Sequence, residues 1–365
     1  MHIILPIGIS FYTFQTMSYT IDLYKGETTP TYNFIDFALF VSYFPHLVAG
    51  PIMRAKSLLP QISKVRKIDK NQILDGIQLI FWGLFKKVFV ADNLAVLVNQ
   101  VYGNPEATGT EYVIATWAFA VQIYGDFSGY SDIARGTSKF MGIELVHNFK
   151  EPYFAINPSD FWQRWHISLS SWLRDYLYIP LGGNKKGTIK TLRNLFLTMF
   201  LGGLWHGAAW NFVIWGMYHG MLLVLYRIFK TPKIPNHSLP PNIASYMMKA
   251  FVMFQLTSLG WIFFRARSLD QILLIFNRIT YSLQITPEAI EMLSKVVFFS
   301  FLPVLAMAYH ILKELRHSWF IESKTIKIFQ QLSQPLFIKS FTYGILTYLM
   351  CLYGANAQTF IYFQF

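Results

Sequence analysis

The stretches FWQRWHISLS at residues 161–170 and LGGLWHGA at residues 201–208 each place one histidine, His166 and His206, in otherwise aromatic and apolar sequence. An imidazole in a membrane-embedded segment is costly, so it is expected to face a cavity, a partner or water. Its proton can also be exchanged near neutral pH. The two histidines therefore predict a membrane enzyme whose chemistry is carried by residues 160–220.

The composition around these stretches is that of a membrane protein. Of the 365 residues, 53% are hydrophobic and 14% are charged, whereas soluble domains carry about 25% charged residues. Apolar runs that suit a hydrocarbon layer of about 30 Å recur at residues 3–24, 113–124, 194–205, 208–229, 243–264, 296–312 and 341–353. No soluble domain boundary or internal repeat stands out. The sequence therefore predicts one all-α polytopic membrane domain over residues 1–365.

The net charge of +12 resides in short loops between the apolar runs, a pattern typical of positive charge retained on the cytoplasmic side rather than of nucleic-acid binding. This rule predicts that the basic loops 54–70, 231–242 and 316–327 lie inside, and that loops 103–111 and 280–293 lie outside. Arg265 and Arg267 conflict with the alternation, because the helix before them would end outside. We expect them to snorkel or to pair.

Two segments are not simple membrane spans. Residues 73–98 and 160–181 mix apolar and charged side chains, which predicts interfacial or re-entrant helices. Asn157, followed by Pro158, is the predicted N-cap of the helix that carries His166. Residues 3–24 have no charged start and no small-residue cleavage site, so they are interpreted as a membrane helix and not as a signal peptide.

His206 and His166 are the candidate catalytic residues. Glycines on both sides of His206 are expected to let another chain or a ligand approach its ring, although a core histidine bonded to a carbonyl has the same pattern. His166, taken alone, also suits the membrane interface. Together they predict one general base and one partner that orients it or binds substrate.

Other polar residues receive mostly structural predictions. Asp126 belongs either to a buried polar network or to catalysis, and Asp132 and Arg135 are spaced to pair on one helix face. A structural or cavity-lining role is predicted for His219, a packing or interfacial role for His46 and His310, and a small core position for Cys351.

The pattern also disfavours two kinds of catalytic site. The sequence has no His-Glu-x-x-His motif and no cysteine cluster, so no zinc site is predicted. Ser128 does not lie in a Gly-x-Ser-x-Gly elbow, which disfavours a serine hydrolase.

Residues 162–184 (WQRWHISLSSWLRDYLYIPLGGN), 193–194 (RN) and 202–207 (GGLWHG) closely resemble the membrane-bound O-acyltransferases. The best match is the bacterial branch that contains alginate O-acetyltransferase and the D-alanyl-transfer protein of teichoic acid. Supporting stretches at 6–15 (PIGISFYTFQ), 44–52 (FPHLVAGPI) and 360–365 (FIYFQF) extend the resemblance over the whole chain.

This resemblance implies a ring of membrane helices around a thin centre, with a tunnel that joins the two membrane faces. It also implies that His206 matches the catalytic histidine, and that the position of His166 is His in this branch and often Asn elsewhere. Members of the family usually have further membrane helices before the segment that matches 6–15, and we expect this chain to lack them.

The predicted function is acyl transfer in the bacterial inner membrane. A cytoplasmic thioester, acetyl-CoA or an acyl carrier protein, is expected to supply an acetyl group as a substrate, with no tightly bound cofactor and no metal. His206 is expected to remove the proton of the attacking hydroxyl, while His166 orients it or polarises the donor. The resemblance implies that the acceptor is an extracytoplasmic polysaccharide such as alginate, reached through an extracytoplasmic acyltransferase partner. The alternative to such a partner is direct modification of a lipid or sugar that reaches the tunnel mouth by diffusion.

The alternative is a polytopic transporter or a flippase for lipid or polymer, in which the charges and histidines form a path. Such a protein is expected to show internal repeats or matched broken helices in two halves. None is evident in the sequence.

Overall fold

The computed structural model describes residues 8–229, 242–319, 336–355 and 357–361, and the regular structure within them is helical throughout, without a strand. The predicted all-α class is therefore confirmed. In chain order the α-helices are α1 (Ile9–Tyr24), α2 (Phe34–Ser42), α3 (Ala55–Ser63), α4 (Lys70–Leu84), α5 (Asp92–Tyr102), α6 (Gly109–Phe140), α7 (Pro158–Arg164), α8 (Ile167–Leu173), α9 (Thr188–His206), α10 (Trp210–Phe229), α11 (Ile243–Arg265), α12 (Leu269–Tyr281), α13 (Pro287–Trp319) and α14 (Leu336–Tyr353). The described residues also form π-helical segments at Phe85–Ala91 and Arg174–Tyr178 and a 3-10 turn at Pro152–Phe154.

Three of the described helices are long and apolar enough to cross a membrane, namely α10, α11 and the part of α13 from Pro287 to Ile311. This agrees with the polytopic membrane domain predicted from composition. The first seven residues, the predicted loops 231–242 and 316–327, and the end of the motif at 360–365 lie wholly or partly outside the described residues.

The helical run from α4 through the π-helical segment to α5 is continuous and lies antiparallel to α6. A Cβ atom on Gly76 would lie 2.8 Å from the carbonyl oxygen of Gly136, and one on Gly83 would lie 2.6 Å from that of Gly129. Small residues let helices approach this closely within a membrane. Residues 73–98 therefore follow the length of α6, because glycine pairs replace the bulk that would hold the helices apart. Their interfacial or re-entrant character stays a prediction.

The two ends of this helix pair define two faces of the molecule. At the basic face, defined by loops 64–70 and 141–144, a Cβ on Gly142 would contact the side chain of Arg66 at 3.1 Å. At the opposite face, defined by loop 103–108 and the start of α12, Arg278 Nη2 donates to Glu106 Oε2 at 2.9 Å. The assignment of the basic face to the cytoplasm stays a prediction.

Arg265 and Arg267 lie on the opposite face, so their conflict with the charge rule persists in the structure. Arg265 ends α11, and its Nη2 donates to Asn99 Oδ1 at 2.7 Å. Its guanidinium also lies over the ring of Tyr102, 5.1 Å from the centroid. Arg265 therefore pairs with neutral groups, which is one of the two outcomes expected from the sequence.

A buried ion cluster ties the C-terminal segment to the α4–α6 helices. Lys87 Nζ lies 2.8 Å from Asp92 Oδ1 and 2.9 Å from Asp126 Oδ1. The same ammonium donates to the carbonyl oxygen of Gln358 at 3.1 Å, and Asp126 Oδ2 accepts from the amide of Ile361 at 2.7 Å. Asp126 thus belongs to a buried polar network, one of the two roles left open by the sequence.

The π-helical segment Phe85–Ala91 separates the partners of two adjacent lysines. Lys86 Nζ lies 2.6 Å from Asp132 Oδ2, whereas Lys87 joins the cluster just described. Asp132 Oδ1 also lies 3.4 Å from Arg135 Nη1, three residues further along α6. The predicted pairing of Asp132 with Arg135 is confirmed.

Residues 160–181 are divided into short pieces. Helices α7 and α8 contain seven residues each, and the following π-helical segment contains five, so none is long enough to cross about 30 Å of hydrocarbon. Asn157 Oδ1 accepts from the Asp160 amide at 2.9 Å, which confirms the predicted N-cap. Trp172 Nε1 donates to the carbonyl oxygen of Phe14 at 3.0 Å and anchors the pieces to α1.

Three minor predictions have different outcomes. Cys351 is exposed on α14, so the prediction of a core position is wrong: the helix turns this thiol away from the packed side. His46 is buried with its Nε2 3.0 Å from Gln15 Oε1, as expected for a packing residue. The His310 side chain is 64% exposed, which excludes a packing role and leaves the interfacial one.

Replacing Gly83 with Ala is expected to destabilise the protein, because the new Cβ would lie 2.6 Å from the Gly129 carbonyl oxygen. The matched control is Gly344→Ala on α14, where no heavy atom of the described residues lies within 4 Å of the new Cβ. That change is expected to be neutral or slightly stabilising, since Ala is favoured over Gly in a helix by about 0.5–1 kcal/mol. Thermal unfolding in detergent checks both; equal midpoints would contradict the close helix contact.

Candidate active site

His166 occupies the break between α7 and α8. Its backbone is left-handed, with φ 43° and ψ 54°, a conformation that costs most L-residues about 1–2 kcal/mol. Among the described residues, the only other non-glycine residue with positive φ is Glu151, at 42°. These two residues bracket the 3-10 turn and α7. Such strain persists only where the surroundings fix it, and it clusters at functional sites.

Backbone hydrogen bonds close the segment between these two positions. The Lys150 amide donates to the carbonyl of Arg164, and the Ile167 amide donates to the carbonyl of Asn148, each at 2.9 Å. Arg164 Nε also bonds to Asp160 Oδ1 at 2.7 Å. His166 therefore lies at the C-terminal end of a segment whose two ends are linked by backbone hydrogen bonds.

A buried side-chain network fixes the residue after the break. Asn148 Oδ1 accepts from both the amide and the hydroxyl of Ser168, at 3.2 and 2.7 Å. Asn148 Nδ2 donates to Ser131 Oγ at 3.3 Å, and Ser168 Oγ accepts from the Ile52 amide at 2.9 Å. Because buried polar networks of this kind are rigid, they hold His166 in its left-handed conformation.

The His166 ring is enclosed by aromatic side chains. Only 1% of the residue is exposed. The ring of Phe127 on α6 meets the imidazole edge-on at a centroid distance of 4.6 Å, and that of Phe11 on α1 lies at 6.2 Å. Three separate elements therefore meet at this imidazole.

His206 is the last residue of α9, and the chain then passes through Gly207 into α10. Its ring contacts those of Trp205, Trp215 and Phe264 at centroid distances of 4.8, 5.0 and 5.1 Å. His206 is half-buried. The helix end thus presents an imidazole on an aromatic surface built from α9, α10 and α11.

The glycines near His206 serve helix packing. A Cβ on Gly203 would lie 2.4 Å from the Phe212 carbonyl oxygen, and one on Gly207 would lie 2.7 Å from the Phe212 ring. Close approach of another segment, one of the two outcomes expected for these glycines, is therefore observed between α9 and α10, and access of a ligand to the imidazole stays a prediction.

The structure brings His166 and His206 into one aromatic region. Phe11 contacts the His166 ring and, at 5.8 Å, the ring of Trp205, which in turn contacts His206. A positive charge on His206 would also act electrostatically on His166. Two histidines distant in sequence are thus neighbours in the fold, although their catalytic roles stay predictions.

His219 has the contacts of a packing residue. It is 1% exposed, stacks on Phe161 at 6.0 Å and 10°, and contacts Trp162 and Trp215 at 5.2 and 5.0 Å. A Cβ on Gly260 would lie 2.7 Å from its Nε2. These contacts agree with the structural role predicted from the sequence.

Neither Asn148 nor Ser168 is predicted as a site residue from the sequence. Asn148 lies in an irregular loop with no periodic pattern, and Ser168 is one of several serines in the same helix. Their importance depends on hydrogen bonds between segments that are distant in sequence, so only the fold reveals it.

Two cavities approach this region. The cavity on the basic face has a volume of about 900 Å³, and its lining includes Asn148 and Ile167. Ile167 follows His166 in the chain, and its amide donates to the carbonyl of Asn148. The opposite-face cavity has a volume of about 560 Å³ and includes Ala209 and Phe212; the Phe212 ring lies 6.4 Å from that of His206. The continuous tunnel implied by the resemblance stays a prediction.

Comparison with known proteins gives a family match over most of the chain. Residues 26–264 match the family model of the membrane-bound O-acyltransferases. This range includes both histidines, the Asn148 network and nearly all of α11.

Curated relatives carry related activities. A probable alginate O-acetylase, AlgI, of Pseudomonas putida is 48% identical over 269 residues, which cover 73% of this chain and 54% of the relative. A peptidoglycan O-acetyltransferase of Helicobacter pylori is 38% identical over 76% of this chain and 57% of its own. A teichoic acid D-alanyltransferase of Bacillus subtilis is 29% identical over 72% of this chain and 69% of its own. The chain thus spans little more than half the length of the first two relatives.

Replacing Ser168 with Ala is expected to lower the stability of the site, because it leaves the buried Ile52 amide without its hydroxyl acceptor. A buried polar group left unpaired costs about 1–3 kcal/mol. The matched control is Ser171→Ala in the same helix, which removes only a bond to the carbonyl of Ser168. The midpoint of thermal unfolding is expected to fall for Ser168→Ala and to change little for Ser171→Ala; the reverse order would contradict the network.

Proposed function

The chain belongs to the membrane-bound O-acyltransferase family, and we propose that it transfers an acetyl group across the bacterial inner membrane for O-acetylation of an extracytoplasmic polysaccharide. The observation that carries this proposal is that His166 and His206 lie in one aromatic cluster, while Ile167 lines one cavity and Phe212, which contacts His206, lines another. The family match favours acyl transfer over the transporter alternative.

The basic-face cavity is the proposed donor site. Its lining includes the cations Lys86, Arg135 and Lys150 together with the carboxylates of Asp132 and Glu151. The excess of cations suits the phosphates of acetyl-CoA or of a phosphopantetheine arm on a carrier protein, since phosphate pairs well with Arg and Lys. A volume of about 900 Å³ is within the common range for small-molecule sites.

The proposed chemistry is attack of a hydroxyl on a thioester. The hydroxyl oxygen forms a bond to the acetyl carbonyl carbon while its proton passes to a ring nitrogen of neutral His206. The carbon–sulfur bond then breaks, and the thiolate leaves and takes up the proton. His166, rigidly held, donates a hydrogen bond that orients the donor or stabilises the carbonyl oxygen. The aromatic surroundings exclude water that would otherwise hydrolyse the thioester.

The polysaccharide and the partner are also proposals. The polymers in the names of two relatives, alginate and peptidoglycan, both contain sugars. We propose that this chain acts on such a polymer through a relay, in which an extracytoplasmic transferase accepts the acetyl group and completes the modification. Short loops on the described part of the opposite face agree with the need for a partner.

Replacing His206 with Ala is expected to reduce acetyl transfer by about 10²–10⁴-fold, the usual contribution of a general base. His166→Ala is expected to lose most activity. His166→Asn should retain more, because Asn can hydrogen-bond and tolerates positive φ. Transfer of isotope-labelled acetyl from acetyl-CoA, measured in membranes that contain each variant at equal level, checks these outcomes.

The matched control is His219→Asn, which changes another buried imidazole that touches Trp215. When it is present in the membrane at the same level as the unmodified protein, this variant is expected to remain active. Loss of a buried imidazole would then not by itself abolish transfer. Wild-type transfer by His206→Ala would refute the role of His206 as the base.

The sidedness of donor and acceptor is tested by cysteine labelling. In a Cys351→Ser background, a cysteine at Glu106 is expected to react with a membrane-impermeant maleimide in intact cells, and one at Lys67 only after permeabilisation. Both parent positions are exposed. Labelling of position 67 alone in intact cells would reverse the proposed direction of transfer.

A further inference from the structure

Residues 357–361, which we call the C-terminal strap, follow α14 without being part of an α-helix. Gln358 and Thr359 belong to the wall of the opposite-face cavity. Ile361, three residues after Gln358, is 1% exposed and belongs to the largest hydrophobic cluster. The strap therefore runs from a cavity wall into the core of the protein.

The strap is bonded to the buried ion cluster of Lys87, Asp92 and Asp126. Lys87 Nζ donates to the carbonyl oxygen of Gln358 at 3.1 Å, and the backbone of Gln358 also forms a hydrogen bond with Asp92. The Ile361 amide donates to Asp126 Oδ2 at 2.7 Å. Backbone groups in a protein interior need such partners, and here three charged side chains supply them.

The cluster depends on the strap in return. The carboxylates of Asp92 and Asp126 share the single ammonium of Lys87, and both aspartates are only 3% exposed. A second buried carboxylate is costly unless further groups compensate it. Backbone N–H groups of the strap do so through charge-assisted hydrogen bonds. Strap and cluster therefore stabilise each other.

The strap also reaches the surroundings of His166. The ring of Phe360 lies 5.3 Å from that of Tyr130 and 6.5 Å from that of Phe127. Phe127 meets the His166 imidazole at 4.6 Å, and it directly follows Asp126 in α6. Asp126 thus holds the strap at the same turn of α6 that encloses His166, so a shift of the strap would be transmitted to this imidazole.

The other side of the strap borders the approach to His206. Gln358 and Thr359 share the cavity wall with Phe212, whose ring lies 6.4 Å from that of His206. An acceptor that reaches His206 from the opposite face passes along this wall. The described lining of the basic-face cavity, the proposed donor site, includes no member of the ion cluster. Loss of the cluster is therefore expected to affect transfer and not donor binding.

We propose that Lys87, Asp92 and Asp126 are positioning residues for acetyl transfer, because they hold the C-terminal strap between the surroundings of His166 and the cavity that leads to His206. This inference rests on the proposed function. The three residues act through the strap and not on the substrates. Misplacement of reacting groups by about 1 Å can lower the rate about 10²-fold, so firm anchoring of the strap contributes to the rate.

The first test compares kcat with KM for transfer of labelled acetyl in membranes that contain each variant at equal level. Asp126→Ala and Lys87→Met are expected to lower kcat by about 10- to 100-fold and to leave KM for acetyl-CoA unchanged. Lys87→Arg is expected to restore part of the rate, because a guanidinium can still bridge two carboxylates. The matched control Lys139→Gln removes an ion pair with Glu144 at the far end of α6 and should transfer acetyl as the unmodified chain does.

The second test measures the strap directly by cysteine labelling in a Cys351→Ser background. Ile361→Cys reports on the strap, and Ala55→Cys, at a position of 0% exposure in α3, reports on the rest of the fold. Both are expected to resist N-ethylmaleimide when the cluster is intact. Adding Asp126→Ala or Lys87→Met is expected to speed labelling of position 361 by about tenfold or more, as local opening does, while position 55 stays protected.

Three outcomes would overturn the proposal. Protection of position 361 in both cluster variants would mean that the strap is held without the cluster. Release of the strap with unchanged kcat would mean that it does not position the site. Labelling of both reporter positions in every cluster variant would make the cluster a requirement of the whole fold instead of a positioning device.

His206→Ala separates this inference from the proposed function. That variant should fail to transfer acetyl while position 361 stays protected, because the cluster is intact. Transfer that persists in His206→Ala would refute the chemistry and leave the anchoring of the strap standing.

Discussion

Backbone groups in the broken segment 158–178 must find their hydrogen-bond partners inside the protein, because a hydrocarbon environment supplies none. Asn148 provides several of these hydrogen bonds. Its side chain accepts two hydrogen bonds from Ser168, while its carbonyl accepts one from Ile167. One loop residue therefore replaces hydrogen bonds that an unbroken helix would have made, and these bonds stabilise the left-handed turn at His166.

The buried charged side chains are likewise paired inside the protein. Lys87 lies between two carboxylates, and its remaining donor capacity goes to the C-terminal segment. Lys86 and Arg135 share Asp132 in the same manner. Since isolated charges are costly in a low-dielectric interior, each such group is a crosslink between segments that are distant in sequence. Arg265 departs from this pattern, because its partners within the described part of the chain are the neutral groups of Asn99 and Tyr102.

Much of the fold was predictable because membrane helices follow local rules. The N-cap at Asn157, the pairing of Asp132 with Arg135, and the all-helical class all depend on spacing along one segment. What could not be predicted depends on contacts between segments. The sequence of residues 73–98 does not reveal that Lys86 pairs with Asp132 and that Lys87 pairs with Asp92 and Asp126. Cys351 looked like core from its apolar neighbours, yet the orientation of α14 decides its exposure.

The π-helical segment Phe85–Ala91 has a consequence for how this protein can change over evolution. Each residue advances an α-helix by about 100°, so the wider turn sets the angular offset between α4 and α5. Removal of one residue would rotate α5 against α4, and Lys86 and Lys87 would no longer face their separate carboxylates. Substitutions within the segment keep that angle, whereas insertions and deletions do not. Chain length here is therefore under tighter constraint than residue identity, and homologues should align through this stretch without gaps.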